Sequence, residues 1–454
     1  MSDSFDPDPD PDPDRHGAHV DEDERDDWTT GAWGHRRATP RFVAPPPGTA
    51  TGDSVVDEHP LLDPPPTRRS GSTRRPPRVH ARRRRMGVVL ALVVLLAIGT
   101  GVYLGGRALV GEFTGSDPQD FAGTGKNDVV VQVLAGDSAG AIGKTLVDAH
   151  VVSSVSAFTK AASKDDRMSS VQPGYYRLRT EIPASQAVTR LVDPGSRVGK
   201  MVIAEGRQLD DVKGANGTIT PGILTLLSKA SCVELDGKNQ CTSVQELRTT
   251  AATADPAALG VPDWATQGVQ AAASQQERRL EGLIRPGSYD VEPGSPATTI
   301  LQRVITRSAT SFQLTGLPQS SAGGLTPYQL LIVASLNERE VKPGEYARVS
   351  RVILNRLAIG QRLEFDSTVN YPLDVQAMAT TPQDRATATP WNTYASPGLP
   401  LTPIASPSDA AIEGALKPAA GNWHFFVTCG TQGKTCFTDT FEEHLKIING
   451  QGPP

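Results

Sequence analysis

The sequence predicts an α+β chain: a disordered N-terminal tail, a single transmembrane helix, a small α+β module, then a larger α+β domain. Three observations carry this reading. Composition swings sharply within the first eighty-odd residues, an uncharged apolar run follows, and strand-like and helical stretches alternate beyond it. At 454 residues the chain exceeds what one ordinary core accommodates, so more than one folded unit is expected.

The tail, residues 1–85, begins acidic, with Asp and Pro alternating from Asp6 to Asp14, and ends basic, in Arg82-Arg83-Arg84-Arg85. Pro45-Pro46-Pro47 and Pro64-Pro65-Pro66 lie between. Proline at this density forms neither ladder nor helix, and little apolar material is present to bury, so disorder is expected. The net charge of −5 conceals this split. A nucleic-acid partner is not expected, because a membrane accounts for the arginines more simply.

Residues 86–106, Met86 to Gly106, contain no charged side chain, and the run is dominated by Val, Leu, Ala and Gly. About twenty such residues match the hydrocarbon core of a bilayer. A long tail precedes the span, which argues for a retained anchor rather than a cleaved signal. The arginine cluster sits only on its N-terminal side. The expected topology is therefore single-pass in the plasma membrane, with the tail cytoplasmic and everything after Arg107 outside. Ala97, Gly101 and Gly105 recur at four-residue spacing, a pattern that small residues produce in many spans without a helix partner.

Cysteine usage agrees with that topology. Cys232 and Cys241 form one close pair, Cys429 and Cys436 another, and all lie beyond the span. No histidine neighbours either pair in zinc-finger spacing, so local disulfides in an oxidising compartment are expected and no metal is. Cys429 and Cys436 flank Gly430-Thr431-Gln432-Gly433-Lys434, which reads as a hairpin tip.

Residues 107–127 read as a Gly-, Asp- and Ser-containing stalk. The small module, residues 128–200, opens with the β-branched run Asp128 to Leu134. A turn and helix start at Gly136-Asp137-Ser138 follow, with Ile142, Leu146 and Val147 on one face. A second helix over Val155 to Ala162, a returning strand at Gly174 to Leu178 and a helix opened by Ser185 complete it. Such a unit serves many unrelated functions. The larger domain, residues 201–450, starts with a strand at Met201 to Ala204; residues 213–280 alternate helical and polar stretches with little further information.

The strongest local signal is Thr326-Pro327-Tyr328-Gln329. Thr326 can cap a helix, Pro327 suits its first position and Gln329 completes a capping box. The helix continues through Leu330, Leu331, Ile332, Val333, Ala334 and Leu336, apolar on every side, so it should be buried. Glu338 lies on the stripe of Leu331, Ala334 and Ser335, while Glu340 faces elsewhere; Pro343-Gly344 ends the run. A second helix, Glu345 to Leu357, turns Tyr346, Val349, Ile353 and Leu357 inward, and Gly360 stops it. A carboxyl group where a helix leaves its apolar neighbours is poorly hydrated, which suits it to donating a proton to a leaving oxygen. Taken alone, however, a glutamate near a helix end is usually solvated surface. By the same measure Asp366 caps a turn, Asn392 bonds a loop and Tyr394 packs in a core.

The ensemble is more specific. It reads Ala334-Ser335-Leu336-Asn337-Glu338-Arg339-Glu340, then Val352-Ile353-Leu354-Asn355-Arg356-Leu357, then Gly360 to Val369 through Phe365-Asp366-Ser367-Thr368. Trp391-Asn392-Thr393-Tyr394, Gly398-Leu399-Pro400 and Phe441-Glu442-Glu443-His444 follow in order. This set resembles the MltG (YceG-like) family of membrane-anchored endolytic murein transglycosylases. The likeness extends more weakly to Glu205-Gly206, to Glu281 through Tyr289, and to the module at 128–200. Arg285-Pro286-Gly287-Ser288-Tyr289 stands where the family commonly has Phe-Pro-Asp-Thr-Tyr.

The resemblance implies a YceG-like catalytic α+β domain, a LysM-like module that binds carbohydrate, and Glu338 as the catalytic acid. It places Asp366, Asn392 and Tyr394 along the glycan groove as substrate-binding residues; on its residue type Trp391 suits either of two roles, stacking on a sugar ring or packing in the core. The implied activity is cleavage of the MurNAc–GlcNAc bond in nascent peptidoglycan strands to leave 1,6-anhydroMurNAc ends, which limits strand length during wall synthesis. No cofactor is implied, because the substrate's own C6 hydroxyl attacks C1. Implied partners are peptidoglycan glycan strands, the plasma membrane and wall synthases of the penicillin-binding type. Two alternatives stay open on the residues alone: a muramidase-type hydrolase using Glu338 with Asp366, and a non-enzymatic wall-binding scaffold.

Overall fold

The computed structural model describes residues 119–376, 380–429 and 434–450. The predicted disordered tail, the span at 86–106 and most of the stalk lie outside the described residues. Among the described residues no helix is long and apolar enough to cross a membrane.

The first module runs β1 (Asp128–Val133), α1 (Ala139–Asp148), α2 (Val155–Ala162), β2 (Gly174–Arg179), α3 (Ala184–Val192) and β3 (Arg197–Val198). The three strands form an antiparallel sheet in the order β1-β2-β3. Local sequence explains its helices: Ser138 and Ser154 turn their hydroxyls onto the amides of Ala141 and Ala157, satisfying orphan N–H groups. α3 instead follows Pro183, which has no capping side chain, and Asp120 accepts from the Ala184 amide at 3.0 Å. The segment from Gln119 therefore packs on the module rather than hanging free as stalk, and paired backbone bonds between Lys126 and Thr180 and between Thr180 and Asn127 hold it there. Leu146, Phe158, Leu178, Ile182 and Leu191 close a core of the module's own.

The chain crosses into the larger domain at Gly199. Its φ of +76° and the carbonyl of Val291 only 2.0 Å from where a Cβ would sit leave no room for any other residue. β4 (Lys200–Ile203) then pairs antiparallel with a strand nearly ninety residues later, while Arg197 of the module reaches Asp290 at 2.7 Å. Arg177 donating to the Glu234 carbonyl at 3.0 Å, and Arg303 to the Tyr175 hydroxyl at 3.2 Å, add to the seam.

The larger domain continues with β5 (Val212–Gly214), β6 (Ile219–Thr220), α4 (Ile223–Ala230), β7 (Val233–Leu235), β8 (Lys238–Gln240), α5 (Val244–Thr253) and α6 (Asp263–Ala271). This stretch, nearly silent in the sequence, proves well ordered: the β7–β8 hairpin is bridged by Cys232–Cys241, and Ser243 with Glu246 builds a full capping box on α5. Next come β9 (Gly287–Asp290), the partner of β4, and the long α7 (Ala297–Thr315). Then follow α8 (Pro327–Glu340), α9 (Tyr346–Ala358), α10 (Asp366–Asn370), β10 (Val375–Gln376), α11 (Pro382–Ala386) and α12 (Asp409–Leu416). The hairpin β11 (Phe425–Cys429) and β12 (Lys434–Thr438), joined by Cys429–Cys436, and the helix α13 (Phe441–Ile448) end the fold.

α8 is the axis of this domain. Thr326 and Gln329 exchange the two bonds of the predicted capping box, at 3.3 and 2.9 Å, with Pro327 in the first turn. Every residue from Leu330 to Asn337 is buried, as an all-round apolar helix requires. α6, α9 and α12 pack around it. Tyr328 meets α6 where Gly268 leaves the ring space; a Cβ there would lie 2.2 Å from the ring.

Candidate active site

Burial ends along α8 at Glu338, two residues before the helix stops, and its side chain emerges half-buried. The poor hydration expected of it is thus only partly met. The carboxylate meets two other elements. Ser408 caps α12, and both its backbone N–H and its hydroxyl donate to Oε2 of Glu338, at 2.9 and 2.6 Å. The same hydroxyl oxygen accepts from the Ala411 amide at 3.1 Å, so one side chain both starts α12 and grips the glutamate. Tyr346, first residue of α9, points its hydroxyl at Oε1 from 3.4 Å. Burial, with the carboxylates of Glu338 and Glu205 nearby, pushes the Tyr346 phenol up to about 12, so it stays protonated and able to donate.

The two oxygens of Glu338 are therefore unequal. Oε2 is held by two donors at the positive end of α12, whereas Oε1 has one long contact. A carboxyl group so arranged has one oxygen that anchors it and one that remains available to a substrate.

The surroundings fix this geometry from below. Ser335 accepts from the Ile404 amide at 3.1 Å, and Asn337 donates to the Ser350 hydroxyl at 2.8 Å and to the Ala411 carbonyl at 3.3 Å. α8 is thereby laced to the segment leading into α12. A loop after β4 completes the wall: the Gly206 amide donates to the Ser406 carbonyl and the Ser406 amide to the Arg207 carbonyl, both at 2.8 Å. Gly206 passes close to the Glu338 side chain.

Asp366 occupies a different arrangement. It begins α10, and Oδ1 accepts from the Thr380 and Tyr394 hydroxyls at 2.7 and 2.8 Å. Arg385 donates to Oδ1 and Oδ2, both at 3.2 Å, while its guanidinium lies 4.9 Å from the centre of the Tyr394 ring. Burial and the bond to Asp366 raise the Tyr394 phenol above its usual range. Asp366 and Tyr394 thus form one unit, built on Thr380 and Arg385, whereas Glu338 is built on Ser408 and Tyr346.

Asn392 is buried, and its amide is fully engaged by its own loop. The NH2 group donates to the carbonyls of Arg385 and Thr387 at 3.0 and 2.6 Å, and Oδ1 accepts from the amides of Tyr394 and Ala395 at 2.8 and 3.2 Å. It shapes the Asp366–Tyr394 unit and offers nothing further to a ligand. Trp391 is 3% exposed and donates its indole N–H to Thr402 at 2.8 Å. Of the two roles open to Trp391, the structure selects packing over stacking on a sugar: the ring is core. Its burial followed from long-range packing that the WNTY pattern does not reveal.

Sequence reasoning missed Ser408 and Tyr346 as neighbours of Glu338. Tyr346 carried the signal of an inward-facing helix residue; Ser408 carried that of a helix cap. It also missed two carboxyls, the buried Glu281 and the half-buried Glu340. Burial pushes Glu281 up to about 7 against the donors from Leu209 and Tyr371, and pushes Glu340 up to about 7 against those from Ser367. Among the described residues no cluster of metal-ligating side chains forms.

Comparison with known proteins follows the same stretch of chain. The YceG-like family matches residues 131–450. An endolytic murein transglycosylase of Bacillus subtilis (strain 168) is 25% identical over 324 residues, covering 71% of this chain and 84% of that one. One from Streptococcus pneumoniae (strain R6) is 23% identical over 374 residues, covering 80% of this chain; the chain spans only 64% of that longer relative. The crystal structure of a yceG-like protein from Listeria monocytogenes is similar over 71% of this chain and 99% of that one, at 23% identity and a TM-score of 0.42. With a match that runs from within the first strand of the small module to the C-terminal helix, the chain belongs to the YceG-like family.

Proposed function

We propose that this chain is a membrane-anchored endolytic peptidoglycan transglycosylase, with Glu338 as its single acid and base. The observation that carries the reading is the asymmetric grip on Glu338: two donors on Oε2, and Oε1 left open beside Tyr346. In the first step Oε1 gives a proton to the oxygen linking MurNAc to GlcNAc as the C1–O bond breaks. The resulting carboxylate is stabilised by the Ser408 N–H and hydroxyl at the start of α12. It then takes the proton of the C6 hydroxyl while that oxygen bonds to C1, closing the 1,6-anhydro ring. The attack is intramolecular, so one carboxyl group serves both proton transfers and no water is added.

Hydrolysis by an acid–nucleophile pair would call on a second carboxylate beside the bond. Asp366 is engaged by Thr380, Tyr394 and Arg385, which favours the one-carboxyl reaction. In our reading Asp366, Tyr394 and Asn392 shape the groove for the glycan strand, Asn392 by holding its loop.

The same proposal takes residues 86–106 as the membrane anchor, residues 1–85 as cytoplasmic and the enzyme domain, 201–450, as extracytoplasmic in the plasma membrane. The module at 128–200 is LysM-like in this reading and holds the glycan strand, and wall synthases of the penicillin-binding type supply that strand. The test is product analysis on peptidoglycan by mass spectrometry. Fragments one water lighter than reducing-ended ones are expected, and Glu338→Gln should abolish them while leaving binding intact. Reducing-ended products from the wild type would turn the reading to a muramidase.

A further inference from the structure

The interior of the larger domain holds a second glutamate that the reaction above does not use. Glu281 is 1% exposed, yet three donors converge on it. Oε2 accepts from the Leu209 amide at 3.1 Å and the Tyr371 hydroxyl at 2.9 Å, and Oε1 from the Gly282 amide at 3.3 Å. Tyr371 is itself buried, edge-on to Trp391 with ring centres 5.3 Å apart. The Arg278 guanidinium lies 4.7 Å from its ring centre and donates to its backbone carbonyl at 3.2 Å.

What these partners belong to gives the contact its meaning. Leu209 ends the loop whose Gly206 and Arg207 are laced to Ser406, two residues before Ser408, the residue gripping Glu338. Tyr371 directly follows α10, whose first residue is Asp366, the hub of Thr380, Arg385 and Tyr394. One buried carboxyl thus bonds to a residue beside the Glu338 cluster and to one beside the Asp366–Tyr394 cluster.

We infer that Glu281 is a positioning residue: through Leu209 and Tyr371 it sets the Glu338 wall and the Asp366–Tyr394 wall at the separation the glycan reaction needs. This rests on the functional reading above and extends it to a residue that touches no substrate. The chemistry of the contact makes it sensitive to protonation. As a carboxylate, Glu281 accepts all three bonds. As a neutral acid it carries a hydrogen that none of the backbone N–H groups can accept, so the bond with Tyr371 must turn round or weaken. The ionisable groups that face it are Tyr371, Arg278, Asp210 and, from α8, Tyr328. Burial outweighs their sum and raises Glu281 to about 7, which places the change within a range an enzyme assay can scan.

Two variants of the full-length protein test this. Tyr371→Phe removes one hydroxyl and leaves Glu281 in place; Glu281→Gln keeps the shape but imitates the neutral acid. Hydrogen exchange followed by mass spectrometry should show faster exchange in residues 205–210 of Tyr371→Phe, across the groove from the altered residue. Release of anhydro-ended fragments should fall on the order of tenfold in turnover, with KM within about twofold, as misplacement of reacting groups predicts. Glu281→Gln should also lose any acid limb near pH 7 that the wild type shows. Wild-type exchange at 205–210 in Tyr371→Phe, or wild-type turnover and pH profile in both variants, would overturn the inference. A wild type that releases no anhydro ends would sink the functional reading instead, and the exchange measurement would still decide whether the strut exists.

Discussion

Ser408 donates both its backbone N–H and its hydroxyl to the same oxygen of Glu338, at 2.9 and 2.6 Å, across seventy residues of chain. The start of one helix thereby orients the acid at the end of another. Replacements at 408 can separate the two donors. Ser408→Gly keeps the N–H and remains an acceptable cap, so cleavage should fall only a few-fold and stability by a few tenths of a kcal/mol. Ser408→Pro suits the observed φ of −68° but deletes both donors. It should reduce cleavage on the order of a hundredfold, well beyond the loss of the hydroxyl alone. Product release and thermal melts on the same samples separate the two effects.

Tyr346 makes the weaker contact, so Tyr346→Phe should lower turnover by less than about tenfold. Its phenol is pushed up to about 12, so it does not ionise in an ordinary assay. The pH–rate profile of the variant below pH 10 should therefore keep the wild-type shape; a lost alkaline limb would contradict the assignment.

Glu281 and Glu340 link stability to pH. Both sit at about 7 in the folded protein, against 4.5 as the ordinary value, so the folded state holds more protons between those limits. Their stabilising contribution is complete below about pH 4.5 and is lost as pH rises to 7. Each shift corresponds to about 3 kcal/mol at most. Urea denaturation at pH 5 and pH 8 should show this decline, and Glu281→Gln and Glu340→Gln should each flatten it.

Asn392→Ala removes five hydrogen bonds of a buried loop and leaves their backbone partners unpaired. A loss of about 2–3 kcal/mol is expected. Turnover should fall together with order in residues 384–395, read by hydrogen exchange. Unchanged exchange would mean the amide does not hold the loop.

The Cys232–Cys241 bridge closes a short hairpin in the 213–280 stretch, and neither cysteine touches the Glu338 cluster. Cys232→Ser with Cys241→Ser should cost about 2–3 kcal/mol through the denatured chain, lowering the melting temperature while leaving the turnover of folded enzyme unchanged.

How far the sequence could be read depends on the range of the forces involved. Thr326, Pro327 and Gln329 act within one turn, and the capping box they announce is present. The unbroken apolar circumference of Leu330 to Leu336 can satisfy itself only in the interior, so the burial of α8 was also legible. The paired spacing of the cysteines pointed to the two bridges that the structure contains. Residues 213–280 were opaque although α4 buries Ile223, Leu224, Leu227 and Ala230 at helical spacing, because eight residues are too short a window to tell a helix from another apolar run.

By itself, then, the chain determined the start and the burial of α8 and its family, because each is written in neighbours a few residues apart. Only the tertiary structure decided which oxygen of Glu338 is anchored, that Trp391 is core and Asn392 a loop brace, and that Glu281 bridges two walls. The anchoring of Glu338 and the bridge through Glu281 hang on hydrogen bonds between residues seventy and ninety positions apart. A serine that will cap a helix and a serine that will also hold a carboxylate look the same until the fold brings the carboxylate to it.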